Sequence, residues 1–238
     1  LIVIYNFITA PLLENNVISE SKLVSILIPA RNEDQNISEC LEKVLSQTYR
    51  NYEVLILDDE STDKTKTIAE EFCKRDGRVK LLQGKPLPGK WTGKNWACYQ
   101  LSENAKGDFF LFMDADVFIT DNTLIKAIAT LTSKDAALLS LFPTQKLKSL
   151  GEFLVVPLMN WLLLTFLPLK FVYISKNVSF SAANGQFMLW KKEIYEEIRG
   201  HKAVQDRIVE DIELSRLVKK KGYKVLTDDI TVINTFDN

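Results

Sequence analysis

The chain has 238 residues and a mass of 27.2 kDa, with 46% apolar and 26% charged residues. These are ordinary globular proportions, and they exclude a disordered chain, a collagen-like repeat and a multi-span membrane protein within this stretch. Thirty basic against thirty-one acidic residues leave a net charge of −1, so no global charge recruits nucleic acid and none is expected as a partner. Cys40, Cys73 and Cys98 have no CxxC spacing and read as reduced thiols in a cytosolic setting. A single histidine, His201, excludes a His-rich metal site.

Leu1 to Ile8 is almost wholly apolar and lacks the basic start and cleavage site of a signal peptide. Residues 1–12 read either as the end of a membrane segment or as a buried packing arm. From Leu23 the pattern becomes regular. Val24 to Ile28 is a short apolar run ending at Pro29, which predicts a buried strand. Ile37, Leu41, Val44, Leu45 and Thr48 keep helical spacing. Val54 to Leu57 predicts a second strand, closed by Asp58-Asp59, and Thr62 or Asp63 can cap a helix that buries Ile68 and Phe72. Val79 to Leu82, Phe109 to Met113 and Ala137 to Phe142 predict three more strands. Asp121 can cap a helix with Leu124, Ile125, Ile128 and Leu131 on one face, a further helix is expected around Glu210-Asp211, and a last strand at Tyr223 to Leu226.

Strands that alternate with helices of this size predict an α/β fold, a mostly parallel central sheet with helices on both faces. Ligands of such sheets sit outside the carboxyl ends of the strands. Two of the predicted strands end there in acidic pairs, and that placement is the first functional signal.

The stretch from Phe153 to Leu169 carries no charge, is rich in Leu, and contains Pro157, Trp161 and Pro168. Its length is borderline for a membrane span. One crossing would part Asp116 from Asp211, and the prolines break a straight helix. The segment at about 150–174 is therefore expected to be an interfacial apolar insert in a domain covering 21–238, with lysines at both flanks facing anionic lipid. The alternative is a buried helix of a soluble enzyme.

Gly84 to Lys90 matches the spacing of a phosphate loop. Trp91 stands where the metal-binding hydroxyl belongs, and Pro86 and Pro88 lack the amides that cradle phosphate. The match is a decoy. Asp114-x-Asp116 is uninformative as a spacing in a chain with fifteen Asp. Its position is informative, because two carboxylates at a strand end repel unless a cation or solvent screens them. Mg²⁺ or Mn²⁺ suits such hard oxygen ligands; a solvated turn with an Asp cap is the plain alternative. Asp58 to Asp63 can likewise hold a base or ribose, or cap the next helix.

Together the residues resemble glycosyltransferase family 2, whose members have the nucleotide-sugar-binding GT-A fold. Five motifs carry the resemblance, in order: Pro29-Ala30-Arg31-Asn32-Glu33, Asp58 to Asp63, Asp114-Ala115-Asp116, Ala183-Asn184-Gly185-Gln186 and Val209-Glu210-Asp211. Pro88-Gly89-Lys90-Trp91-Thr92-Gly93-Lys94-Asn95-Trp96-Ala97 and Gly200-His201-Lys202-Ala203-Val204 resemble a membrane-associated branch linked to carotenoid and hopanoid glycosylation. Where that branch has Gly-Gly before the His, this chain has Arg199-Gly200.

The resemblance implies inverting transfer from a nucleoside diphosphate sugar, a UDP-sugar first, to a lipid-like acceptor at the cytoplasmic face of the cell membrane. Pro29, Arg31, Glu33, Asp58, Asp59, Lys94 and Asp114 would bind the donor. Asp116, with Asp114, would hold Mg²⁺ or Mn²⁺. Asp211 would be the general base, and Asn184, Gln186, Glu210 and His201 would lie on the acceptor side. For Asp211 the plain alternative is the solvated face of a helix that ends in Lys219-Lys220-Lys221. Trp91 and Trp96 fit ring stacking or core packing. Other readings are a polysaccharide synthase of the same family, a sugar-phosphate nucleotidyltransferase and a non-catalytic membrane scaffold. The nucleotidyltransferase would need a Gly-rich loop after the first strand, and Ala30 to Glu33 has no glycine.

Overall fold

Apolar runs too short for helices and bounded by polar turns build the centre of the molecule. The computed structural model describes residues 22–142 and 169–229, together with Ile2, Asn6, Leu13 and Thr165. In chain order the elements are β1 (Val24–Ala30), α1 (Ile37–Leu45), β2 (Tyr52–Asp58), α2 (Thr65–Arg75), β3 (Val79–Gln83) and α3 (Gly93–Asn104). There follow β4 (Phe109–Met113), α4 (Thr123–Ser133), β5 (Leu138–Phe142), α5 (Leu169–Ile174), β6 (Phe187–Lys191) and α6 (Lys192–Glu197). The last are α7 (Gly200–Ala203), α8 (Glu210–Lys220) and β7 (Val225–Asp229).

The sheet has the order β3-β2-β1-β4-β6-β5-β7. β1, β2, β3 and β4 are mutually parallel, as are β5 and β7, while β6 runs against both of its neighbours, β4 and β5. The chain builds outward from β1 through β2 to β3, then returns to place β4 on the other side of β1. The crevice between β1 and β4 is thus the point where strand order reverses, the usual ligand position in such sheets. Leu27 is level with Phe112 and Ala30 with Asp58, so three acidic or polar turns leave the sheet along one edge.

Every residue of β2 and β4 is buried, as expected for strands covered on both faces. One core cluster packs α1, α2 and α4 residues such as Leu41, Phe72 and Leu124 against Ile26, Ile56 and Leu111. The second packs Leu101 of α3 and Leu214 of α8 against Leu27, Phe110 and Trp190. Each strand therefore sends alternate side chains to opposite layers.

The predicted caps shift by a residue or two. Lys64 is the N-cap of α2, while Asp63 accepts hydrogen bonds from the Thr65 amide and hydroxyl. Asp121 instead accepts from the Ser46 hydroxyl at 2.7 Å, and the Gln47 side chain accepts from the Leu124 amide in the first turn of α4. Among the described residues, α3, α6, α7 and the reversed strand β6 had no counterpart in the sequence pattern. Most of the sequence-predicted insert lies outside the described residues; its end, Leu169–Ile174, is helix α5, with Leu169 and Val172 buried. Among the described residues no helix is long and apolar enough to cross a membrane. In the amino-terminal stretch, Asn6 accepts a hydrogen bond from the Leu169 amide, and Leu13 packs on the core. The three cysteines are free, with Cys40 and Cys98 buried.

Candidate active site

The crevice at the strand-order reversal is a cleft of about 340 Å³ lined by Pro29, Ala30, Arg31, Glu33, Asp59, Gly93, Lys94, Ala97 and Asp114 to Asp116. β1 supplies one wall, because its apolar run stops at Pro29 and the chain turns out through Arg31 to Glu33. β4 supplies the facing wall, because Met113 is its last buried strand residue and Asp114 turns away. The first turn of α3 closes the side with Gly93 and Lys94. The positive end of that twelve-residue helix and an ammonium thus face one cleft, a combination suited to phosphate oxygens.

Lys94 Nζ lies 2.9 Å from both Asp114 carboxylate oxygens and 3.6 Å from Glu210 Oε1. Burial pulls the ammonium down, but Asp114 and Glu210 more than offset it, so Lys94 titrates above the ordinary lysine value and stays charged. Burial pushes Asp114 up despite the Lys94 charge, and it pushes Glu210 up in the same way. Glu33 also sits above its ordinary value, through burial and then, against the hydrogen bond from Asn36, the charges of Asp116, Asp114 and Asp63. Arg31 pairs with Asp59 at 3.5 Å across the mouth.

The reversal of β6 brings the Ala183 to Gln186 motif here. An antiparallel strand begins where its neighbours end, so Asn184 to Gln186, which lead into β6, sit at the carboxyl edge. Asn184 Oδ1 accepts from the Gln186 amide at 2.8 Å, the Ser140 hydroxyl accepts from the Asn184 amide at 2.6 Å, and the Asp114 amide donates to the Gln186 carbonyl at 3.1 Å. The Gly185 amide donates to Asp211 Oδ2 at 3.0 Å. A Cβ on Gly185 would stand 3.1 Å from Glu210 Oε1 and 3.3 Å from Lys94 Nζ, so a larger residue here would make both side chains give way by a few tenths of an ångström. Asp211 and Glu210 open α8, where the helix N-terminus favours carboxylates.

The structure therefore gathers Pro29, Arg31, Glu33, Asp59, Lys94, Asp114 and Asp116 around one cleft and links Gly185, Glu210 and Asp211 to it through Lys94. Asp58 and His201 lie elsewhere. Asp58 is 2% exposed, and its carboxylate faces the Ser61 amide and the Gln83 side chain, so it braces the turn after β2. His201 is 2% exposed in α7. Its Nδ1 bonds the Tyr195 hydroxyl at 2.8 Å, and its ring packs on Phe112 with centroids 4.7 Å apart. It is buried in the fold and not at the cleft surface. The Gly84 to Lys90 decoy lies along α3: the Gly84 amide donates to the Asp58 carbonyl, and the Lys85 amide to Gln100 Oε1. Trp91, Trp96 and Tyr99 form a half-buried aromatic cluster, with Trp91 and Trp96 centroids 5.1 Å apart. Asn95, which the sequence did not single out, is wholly buried beside Lys94.

Among the described residues no three His, Cys, Asp or Glu side chains form a metal-holding group. Divalent ions in phosphate sites need fewer protein ligands, because one or two carboxylates plus substrate phosphates and water complete the shell. Lys94 engages both oxygens of Asp114, whereas Asp116 is exposed at the cleft. The oxygen donors present fit Mg²⁺ or Mn²⁺ on Asp116.

A switch-point cleft walled by acidic strand ends, beside one reversed strand, defines a GT-A glycosyltransferase fold. Residues 25–199 match the sequence profile of Glycosyl transferase family 2, and the chain belongs to that family. The chain is 29% identical over 199 residues to a 4,4'-diaponeurosporenoate glycosyltransferase of Staphylococcus haemolyticus, covering 83% of this chain and 52% of the relative. It is 32% identical over 116 residues to the glycosyltransferase GlyG of Streptococcus pneumoniae, 49% of this chain and 37% of that one. The chain thus spans about half or less of these relatives' length. Among solved structures it resembles the mannosyltransferase PcManGT of Pyrobaculum calidifontis in complex with GDP-Man and Mn²⁺. The TM-score is 0.68 at 17% identity, covering 93% of this chain and 60% of the other. It also resembles TarS of S. aureus in complex with UDP, with a TM-score of 0.60 at 18% identity over 88% of this chain and 59% of the other. These structural likenesses establish the fold.

Proposed function

We propose that the protein transfers a sugar, with inversion, from a nucleoside diphosphate sugar to a hydrophobic, lipid-like acceptor at the cytoplasmic face of a membrane. The observation that carries the reading is a charged Lys94 paired with Asp114 and close to Glu210, beside an Asp211 carboxylate held by Gly185. One group meets a diphosphate; the other meets a hydroxyl.

Arg31, Asp59 and the Pro29 to Glu33 turn would hold the nucleoside end, and Lys94 with the first turn of α3 the diphosphate. The acceptor hydroxyl gives its proton to Asp211 as its oxygen attacks the anomeric carbon. The bond from that carbon to phosphate breaks, and its electron pair leaves with the diphosphate. A single displacement inverts the carbon. Asp116, with substrate phosphates, would hold Mg²⁺ or Mn²⁺, which when bound neutralises charge developing on the leaving group.

Support for a lipid-like acceptor comes from the uncharged run at 153–169 and from the carotenoid-related relative. A soluble donor and a membrane-dissolved acceptor would meet at an interfacial enzyme.

The test is calorimetric binding of UDP, GDP and dTDP with and without Mn²⁺, then turnover of the matching sugar nucleotide with a long-chain hydroxyl or carboxyl compound in anionic vesicles. Metal-stimulated binding of one nucleotide and vesicle-dependent transfer are expected. Tight binding without any transfer would favour a scaffold.

A further inference from the structure

The first turn of α3 grips two parts of the site at once. Lys94 reaches Asp114 in the donor cleft. Asn95, the next residue, reaches the loop that leads into α8. Its Nδ2 donates to the carbonyls of Val204 at 2.8 Å, Arg207 at 3.0 Å and Gln205 at 3.4 Å. The Thr92 amide adds a bond to the Gln205 carbonyl at 2.9 Å. The amide orientation of Asn95 follows from chemistry, since three carbonyls can face only a donor. Its Oδ1 is left buried with no partner. An apolar residue would avoid that cost, so the donors toward the loop are what this asparagine contributes.

The loop needs such a hold. Asp206, Arg207, Ile208 and Val209 are all exposed, Ile208 at 89%. No apolar burial anchors the chain between Gln205 and Glu210. The carboxylates of Glu210 and Asp211 begin three residues after the last carbonyl that Asn95 holds.

We infer that Asn95 is a positioning residue for the transfer, fixing the 204–207 loop and through it the placement of Asp211 against the donor held by Lys94. This rests on the reading of Asp211 as the general base. Asn95 touches neither substrate; it sets where the base stands. Misplacing a reacting group by about 1 Å costs on the order of 10²-fold in rate.

The test compares Asn95→Ala, Asn95→Ser, Asp211→Asn and the double variant Asn95→Ala/Asp211→Asn with the parent. Turnover is measured with the sugar nucleotide that the parent uses, and affinity by calorimetry of the free nucleoside diphosphate with Mn²⁺. Asn95→Ala is expected to lose on the order of 10²-fold in turnover, with nucleotide affinity within about twofold of the parent. Asn95→Ser keeps one donor and should recover part of the loss. The double variant should be no slower than Asp211→Asn alone, because a residue that acts through the base has nothing left to position. A merely structural role would instead multiply the two losses. Multiplied losses, parental turnover in Asn95→Ala, or lost nucleotide affinity in both Asn95 variants would each overturn the inference. A slow Asp211→Asn beside a normal Asn95→Ala overturns only the positioning role; a normal Asp211→Asn overturns the base assignment and this inference with it.

Discussion

The Gly185 amide holds Asp211 Oδ2 at 3.0 Å, and through that bond the turn before a reversed strand fixes a carboxylate at the start of a helix 26 residues later. The absence of a Cβ lets Glu210 and Lys94 approach as well. Gly185→Ala should therefore push against the Glu210 carboxylate and the Lys94 ammonium together. The expected outcome is a fall in turnover of about tenfold or more, with nucleotide affinity also weakened because Lys94 moves. Parental kinetics in this variant would mean that the Glu210 and Lys94 side chains move aside without cost to the site.

Asp211→Asn separates a base from a donor ligand. It keeps the shape and loses the proton acceptor. Loss of a general base lowers turnover by about 10²–10⁴-fold and spares ground-state binding. Calorimetry should accordingly give an unchanged nucleotide affinity beside that rate loss. Combined loss of affinity and rate would move Asp211 into the donor site, and Glu210, already pushed up by burial, would be the next base to test.

For Asp116→Asn the expectation is reversed. Asp116 is exposed at the cleft beside Asp114, whose two oxygens are taken by Lys94. Removing its charge should abolish the gain in nucleotide affinity that Mn²⁺ produces in the parent, while metal-free affinity stays level. An undiminished Mn²⁺ effect would place the ion elsewhere.

The strands and the acidic turns were legible because burial on both faces writes continuous apolar runs, and because Asp58-Asp59 and Asp114 follow those runs directly. Helix α3 was not legible. Its buried positions mix Asn95 and Gln100 with Ala97, Cys98 and Leu101, so no apolar stripe marks it. Asn95 faces loop carbonyls and Gln100 the Lys85 amide rather than water, so neither reads as part of a solvated face. The direction of β6 was equally hidden, since an apolar run such as Phe187 to Trp190 reads alike in either sense. A single sequence could not separate Asp58 from Asp59: alternation in the strand turns one into the core and the other into the cleft. His201 was placed on the acceptor side only by the resemblance of the Gly200 to Val204 motif. Its partner Tyr195 lies six residues earlier, on α6, and nothing in the spacing declares the pair.

Gly200 has φ +40°, and an added Cβ would stand 2.1 Å from Tyr195 Cζ. Gly200→Ala thus combines a left-handed backbone with an overfilled core. Each costs on the order of 1–2 kcal/mol or more. The variant should lose at least about 2 kcal/mol in urea denaturation. A parental midpoint would mean that the Tyr195 ring can move aside freely.

The buried His201 gives the fold an acid sensitivity of calculable sign. Burial, and then the Lys94 charge, lowers its pKa to about 3. In the unfolded chain an imidazole titrates near 6.5. Between those values the unfolded chain binds a proton that the folded protein refuses, so stability falls as the pH falls. The neutral ring's contribution is complete above about pH 6.5 and is lost progressively toward pH 3. By pH 5 the loss amounts to about 2 kcal/mol, at 1.36 kcal/mol per unit. His201→Gln removes the titration while keeping a polar side chain for the Tyr195 hydroxyl. Urea denaturation of parent and variant at pH 7.5 and pH 5.0 isolates the effect, since every other titrating group is common to both. The parent should lose about 2 kcal/mol more than the variant between the two conditions. Equal losses would mean that His201 takes up its proton in the folded state, through an opening that its contacts with Tyr195 and Phe112 do not suggest.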